Sequence, residues 1–339
     1  MNTSSAHKTR WGILGTARIA TKVARAIDLA PNAELIAVAS RDPARTASWA
    51  AARDLKRSYG SYDALLEDPE IDAVYIPLPP SLHREWTIKA AEKSKHVLCE
   101  KPLALNAAEG REMASACEDN GVQLMDGVMW VHHRRSEEIK NILTAGTLGE
   151  LRRLTAAFSF NGKLQNSNDI RVKKELGGGS LGDLGYYCIR AIIWAFDALP
   201  TKAFATARFC HGVDFNLSAL LWFEGERMAT FDCGFDTVAR KWFEIAGTRA
   251  SLVCDDFVVP QEESVARYWI HGSSAEADSK HLVEGGIQEV RMIEHFSNLS
   301  HSGKLEEKWP NAAIATMHVC DALLESAHCN QIIPLDSTP

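Results

Sequence analysis

The chemistry most open to reading lies near the amino end, at Gly12-Ile13-Leu14-Gly15-Thr16-Ala17-Arg18-Ile19-Ala20, where a short apolar run hands over to a helical stretch. Set against the spacing G-x-G-x-x-G, the three small positions are Gly15, Ala17 and Ala20. Small residues are needed there because the main chain must turn sharply, approach a pyrophosphate, and let helix pack close to strand. The helix N-terminus then offers N–H groups and a partial positive charge to the phosphates. Two alanines replace glycines, so the motif gains its force from opening the first strand–helix unit of an alternating series. Gly12, Gly15, Thr16, Ala17, Arg18 and Ile19 are the expected cofactor contacts of this turn.

The next strand ends in Ala39-Ser40-Arg41-Asp42. Sites for NAD place an acid about 20 residues past the glycines, where it holds the ribose 2′-hydroxyl. Ser40 and Arg41 stand there instead. A hydroxyl and a guanidinium suit a 2′-phosphate, which a carboxylate would repel. NADP is therefore the expected cofactor. The alternative is that Arg41 is a solvated residue and Asp42 serves NAD, but Asp42-Pro43 already reads as a helix cap followed by a proline at the first helical position.

The elements that must carry these residues follow from the apolar pattern. Up to about Gly127, apolar runs at 11–14, 35–39, 73–78, 96–99 and 122–125 alternate with helical stretches at 17–30, 43–53, 81–93 and 107–120. Buried runs separated by helices are the sequence form of a parallel sheet covered on both faces. After about Gly149 the texture changes to successive strands at 151–160, 202–210, 216–223, 227–235, 241–246 and 251–255, with a helix at 181–196 and a terminal helix at 311–327. Glu224-Gly225-Glu226 reads as the turn of a hairpin. The expected fold is α/β: a Rossmann dinucleotide-binding domain over 1–128, then an α+β domain over 129–339 for substrate and subunit contacts. The terminal helix is expected to pack back on the first domain, and the stretch from 260 to 286 gives no clear pattern.

Bulk properties narrow the function classes. The chain has 339 residues, long enough at about 150 per domain for two domains. Its 37 Lys and Arg against 44 Asp and Glu give a formal charge of −7. The bases are scattered, which argues against a nucleic-acid partner. No apolar run reaches the roughly 20 residues of a membrane span. The polar first nine residues lack the apolar core of a secretory signal. The eight cysteines are dispersed with no C-x-x-C pair, so no zinc site is expected, and a reducing cytoplasm fits. His318 and His328 in the terminal helix do not share a face, so no metal is expected there.

Cys99-Glu100-Lys101-Pro102, the stretch Leu176-Gly177-Gly178-Gly179-Ser180-Leu181-Gly182-Asp183-Leu184-Gly185-Tyr186-Tyr187, and Pro77-Leu78-Pro79 with His83 together resemble the glucose–fructose oxidoreductase / inositol dehydrogenase (Gfo/Idh/MocA) family. The resemblance runs over nearly the whole chain. It implies an N-terminal Rossmann domain and a C-terminal open, mostly antiparallel sheet through which subunits pair, as a homodimer or homotetramer. Pro77, Leu78, His83, Glu100 and Lys101 join the expected cofactor contacts, with His83 reading equally as a helix-start residue. Lys101 corresponds to the family's catalytic lysine, with Asp183 and Tyr187 as partners. Many members carry histidine at the Tyr187 position. The tyrosine form is similar to the branch of aldose and trans-dihydrodiol dehydrogenases, so a small polyhydroxylated substrate, a sugar or cyclic diol, is implied.

The chemistry agrees with that list. Removing hydride from a carbinol carbon requires a base within hydrogen-bond reach of its oxygen. A tyrosine, with an ordinary pKa near 10, needs a neighbouring cation to serve, and Lys101 is the candidate. Asp183 and Tyr187, spaced i, i+4, would point to one helical face. Tyr187 is expected to be the acid/base, Lys101 its electrostatic and relay partner, and Asp183 the orienter; Lys101 as immediate proton acceptor remains the alternative. Arg171, Trp130 and Tyr187 are the expected substrate contacts, with two alternatives open: Arg171 could instead anchor its loop, and Trp130 could pack rather than stack on a sugar. A non-catalytic NADP sensor on the same scaffold is the competing function, set back by the presence of Lys101, Asp183 and Tyr187 together.

Overall fold

The computed structural model describes residues 8–164, 167–261, 265–272 and 278–336. The polar residues 1–7 thus lie outside the described residues, as do 262–264 and 273–277 of the patternless stretch. The chain forms two compact units. The first holds Met1–Ala104, Ala108–Gly127 and Ile287–Asn311; the second holds Leu105–Ala107, Val128–Gly286 and Ala312–Pro339.

In chain order the first unit contains β1 (Thr9–Leu14), α1 (Arg18–Leu29), β2 (Ala33–Ala39), α2 (Pro43–Ala51), β3 (Arg57–Tyr59), α3 (Tyr62–Leu66), β4 (Ala73–Ile76), α4 (His83–Glu92), β5 (His96–Cys99), α5 (Ala107–Asp119) and β6 (Leu124–Asp126). The strands make one sheet in the order β3-β2-β1-β4-β5-β6, and every pairing in it is parallel. Helices on both faces leave the central strands dry, which is why they read as unbroken apolar runs. Ala73, Val74, Tyr75 and Ile76 are each fully buried. The strand order reverses between β1 and β4, and in open α/β sheets the crevice at the carboxyl ends of such a pair is where ligands bind. Gly15 follows β1 and Pro77 follows β4, so both expected cofactor loops flank that point.

Three elements of this unit escaped the apolar pattern. β3 is three residues long and half exposed, and α3 has one and a half turns, too short for a periodic signal. The third is distant in sequence. Where the sequence places 129–339 in one domain, the segment Ile287–Asn311 groups with the first unit. A helix there, numbered below, packs on β1 and α1: Trp11 Nε1 donates to Ser297 Oγ at 3.2 Å, the rings of Trp11 and Phe296 lie 5.2 Å apart, and Lys22 pairs with buried Glu289 at 2.7 Å.

The second unit continues with α6 (Arg134–Thr144), β7 (Leu151–Ser159), a π turn (Leu181–Gly185), α7 (Tyr186–Phe196), β8 (Lys202–Cys210), β9 (Val213–Trp222), β10 (Met228–Gly234), β11 (Arg240–Gly247), β12 (Ser251–Cys254), β13 (Val265–His271) and β14 (Ser279–Glu284). Then come α8 (Gln288–His301), which is the helix of the first unit just described, α9 (Lys308–Cys329) and β15 (Ile333–Pro334). The sheet runs β14-β13-β12-β11-β7-β10-β9-β8-β15, antiparallel except for the pair β7–β10. β9 and β10 form the expected hairpin, with Gly225 and Glu226 both at positive φ in its turn. The patternless stretch supplies β13 and β14, whose partly buried residues give no clean alternation.

One face of the sheet is buried under α7 and α9. Leu217, Leu221, Phe231 and Ile245 pack there with Ile189, Ile192 and Leu323. Arg190 on α7 donates to Thr316 Oγ1 on α9 at 3.2 Å, and Ser326 Oγ accepts from the Ala205 amide of β8 at 2.9 Å. Among the described residues, no helix is long and apolar enough to cross a membrane.

Candidate active site

The candidate residues fall into two sets, one in each unit. In the first, the turn after β1 is built around Gly15. Its φ of +118° lies where side chains rarely go, and a Cβ there would meet Leu78 Cδ2 at 3.0 Å. The Gly15 amide donates to Ala39 O at 2.8 Å, which fastens the turn to β2. Among the described residues no side chain caps α1 after Ala17, and its first turn holds no acid. Its amide ends at Arg18 and Ile19 are thus left to other partners, as an anion site requires. Thr16 is buried, and its carbonyl accepts from Arg45 Nη2 at 2.9 Å.

Arg45 is a residue the sequence reading missed. It sits in the first turn of α2, three places after Asp42, whose side chain caps that helix by accepting from the Arg45 amide at 3.0 Å. Arg41 is exposed and its guanidinium acts on the Tyr62 hydroxyl. Burial raises the Tyr62 phenol, and the charges of Arg41 and Arg45 oppose that rise. That hydroxyl lies 3.9 Å from where a Cβ on Gly15 would stand, so two guanidiniums converge on the phosphate turn. Ser40 is buried with its Oγ accepting from the Asp42 amide at 3.2 Å. These residues fit a dinucleotide bearing a 2′-phosphate: a tight glycine turn, a bare helix end, and two cations beside a hydroxyl.

Three expected cofactor contacts are placed otherwise. Gly12 lies in β1, where a Cβ would stand 2.8 Å from Leu65 Cδ2, so its smallness serves the core. His83 is wholly buried: Nε2 lies 2.7 Å from Leu78 O, and Nδ1 lies 2.9 Å from Pro102 O and 3.2 Å from Leu103 O. It joins the loop after β4 to the loop after Lys101 and has no face for a cofactor. Burial lowers its imidazole, the carbonyls oppose this, and the Lys101 charge adds to the lowering. Glu100 is buried as well, accepting from the Tyr75 hydroxyl at 2.6 Å and from the Lys101 amide at 3.1 Å. Burial pushes its carboxyl up against those bonds. It anchors the half-exposed Lys101 from beneath, and Gly127 makes room, since a Cβ there would lie 3.0 Å from Glu100 Oε1. Pro77 and Leu78 are buried beside Gly15.

In the second unit, Asp183 lies in the π turn and Tyr187 in the first turn of α7. The expected i, i+4 helical pair is thus split between two helical geometries, because the preceding glycines are held from both sides and the chain enters the helix wound wide. Arg171 Nε donates to Asp183 Oδ2 at 2.7 Å, and its Nη1 lies 3.2 Å from both Asp169 oxygens. Burial works against the Arg171 charge, but the two acids raise its guanidinium above the ordinary value. Arg171 therefore holds Asp183. The Tyr187 ring packs edge-on to Phe158 at 5.5 Å, and Arg171 lies over Phe160. Trp130, expected to contact substrate, is 1% exposed, and its ring packs edge-to-face on Trp194 at 5.2 Å and Phe257 at 5.6 Å. It is a core residue. Among the described residues, no group of three His, Cys, Asp or Glu could hold a metal.

Residues 9–128 match the family model for the Gfo/Idh/MocA oxidoreductase family with an NAD-binding Rossmann fold, and 136–253 match a Gfo/Idh/MocA C-terminal domain. The chain belongs to this family. It is 34% identical to the D-xylose 1-dehydrogenase (NADP(+)) 2 of Haloferax volcanii, over 96% of this chain and 99% of that protein. It is 30% identical to the trans-1,2-dihydrobenzene-1,2-diol dehydrogenase of Xenopus laevis, over 81% of this chain and 83% of the relative. Among solved structures, a 3-ketoreductase from Actinomadura kijaniata in complex with NADP and TDP-benzene superposes with a TM-score of 0.87 at 27% identity, covering 94% of this chain and 98% of that one. This Gfo/Idh/MocA protein is an oxidoreductase with a Rossmann domain and a mostly antiparallel second sheet.

Proposed function

We propose that the chain is an NADP-dependent dehydrogenase or reductase. Its substrate would be a sugar, oxidised as by an aldose 1-dehydrogenase, or a cyclic diol. The observation that carries this is the turn at Gly15, with a bare helix end in front of it and Arg41 and Arg45 beside it. The named activities of the xylose and dihydrodiol relatives support the substrate class. In this reading the first unit binds the cofactor through Gly15, Thr16, Ala17, Arg18, Ile19, Ser40, Arg41 and Arg45, and the second takes the substrate.

When bound, the cofactor would accept the hydride as NADP+ in oxidation or supply it as NADPH in reduction. Tyr187 moves the proton of the substrate oxygen, giving it in reduction and taking it in oxidation. Its phenolate is costly without a cation, and Lys101 supplies that charge. Asp183 orients the substrate hydroxyl, its carboxylate fixed by Arg171. Glu100 and His83 act one step back, holding the loop that bears Lys101. A panel of aldoses and cyclic diols, with NADP consumption followed by absorbance and NADPH binding by fluorescence, tests the reading. Turnover on a member of the panel is expected. Tight NADPH binding without turnover on any member would favour a sensor.

We further propose that two copies pair through the open face of the second unit's sheet. One register row there runs Phe204, Leu220, Thr230, Thr155, Glu244, Val253 and Trp269, all partly or wholly exposed. Trp222 and Trp242 widen it, a larger apolar area than a lone surface residue presents. All eight cysteines are free thiols, which accords with a reducing cytoplasm.

A further inference from the structure

The triple glycine before the π turn is gripped from two sides. Gly178 lies against the main chain of Arg171, where a Cβ would come 2.6 Å from the Arg171 carbonyl oxygen. Gly179, at φ +133°, lies against Asp214, where a Cβ would come 2.3 Å from Asp214 Oδ1. Asp214 stands at the start of β9 and is 4% exposed. Its Oδ2 accepts from Ser180 Oγ at 2.7 Å and from the Leu181 amide at 2.6 Å. The Ser180 hydroxyl is backed by Cys233 Sγ at 3.6 Å.

These bonds close a ring. The Gly179 amide donates to Arg171 O at 2.9 Å, Gly179 O accepts from the Asp183 amide at 3.2 Å, and the Asp183 carboxylate accepts from Arg171 Nε at 2.7 Å. The ring sits on the sheet through Asp214. We infer that Asp214 is a positioning residue for catalysis, setting Asp183 and Tyr187 by clamping Gly179, Ser180 and Leu181 to β9. This inference rests on the catalytic reading of those two residues above.

Capping alone does not call for this choice of residue. Serine and asparagine cap helix starts as well as aspartate does, without a buried charge. Burial pushes the Asp214 carboxyl up to about 6, against the bonds from Ser180 and Leu181. What the carboxylate adds is two acceptor oxygens in one rigid plane, one on the donors and one against Gly179. That fixes the path of the chain into the π turn, and misplacement by about 1 Å can cost on the order of a hundredfold in rate.

The test is Asp214→Asn, which keeps the volume and one acceptor oxygen but replaces the other with an amide NH2, a donor. NADP turnover with D-xylose, D-glucose or trans-1,2-cyclohexanediol, whichever is fastest in the parent, is measured alongside the stoichiometry and affinity of NADPH binding. We expect kcat to fall about ten- to a hundredfold with NADPH affinity within twofold. In a Tyr187→Phe background, Asp214→Asn should cost little more, because both changes act on one proton transfer. Ser180→Ala, which removes a single donor, should give a smaller loss of the same kind if the Asn variant folds poorly. A kcat within twofold of the parent in both variants, or a loss that multiplies on Tyr187→Phe, would overturn the inference while leaving the catalytic reading intact. Parental turnover in Tyr187→Phe alone would overturn both.

Discussion

At the phosphate turn, two guanidiniums and a tyrosine hydroxyl converge where the sequence offered only Ser40 and Arg41. Hydrogen bonds to charged groups contribute about 1.5–3 kcal/mol each, so Arg41→Ala should weaken NADP about ten- to a hundredfold while changing NAD affinity little. Equal losses for the two cofactors by fluorescence titration would count against the 2′-phosphate role. Arg45 was hidden because a second base inside a helix's first turn looks like any solvated residue. His83 and Glu100 misled for the opposite reason: they stand in the right motif, yet burial turns both into struts. Asp214 offers a further check on its environment. Its folded pKa, about 6, lies above the ordinary aspartate value of 3.8, so the protonated form is the one favoured by folding. The stability it contributes is complete below about pH 4 and is lost as pH rises through 6, by up to about 3 kcal/mol. Relative to Asp214→Asn, the parent should therefore be more stable at pH 5 than at pH 8 in urea unfolding. A gap that does not change with pH would contradict the burial.

The elements show which signals carry through a sequence and which do not. β1, β2, β4 and β5 were plain because their inner residues, buried on both faces, form apolar runs. The π turn was not, since its glycines are held between Arg171 and Asp214, the second of which is distant in sequence. α8 was not: Met292, Ile293, Phe296 and Leu299 stand at helical spacing, but the buried polar residues Gln288, Glu289 and Ser297 interrupt the stripe. The join between α6 and the β12–β13 loop was equally hidden. There Arg135 and Asp256, each 2% exposed, form an ion pair, and the same guanidinium reaches the carbonyls of Asp256, Phe257 and Arg267. Removing one partner leaves a buried charge alone. Asp256→Ala should cost about 3–5 kcal/mol by denaturant unfolding, and a loss under about 1 kcal/mol would show the pair to be dispensable.

On the scale of the molecule, the change from strand–helix alternation to successive strands announced an α/β unit followed by an α+β unit, because sheet type dictates connection type. What crosses that order, Ile287–Asn311 joining the first unit, depends on tertiary packing and has no local signature. The partly exposed sheet face bearing Trp222, Trp242 and Trp269 predicts association: Trp242→Glu should shift the protein toward monomer in light scattering, with NADPH affinity unchanged, and an unaltered mass would contradict pairing through that face. The central claim is that NADP-linked hydride exchange depends on a charge at Lys101 that cofactor binding does not need. It is tested most directly by Lys101→Ala, with turnover and NADPH affinity measured on the same preparation. Turnover should fall by at least about a thousandfold, within the range of lost acid–base catalysis, while affinity stays within a few-fold. Near-parental turnover in that variant would contradict the account.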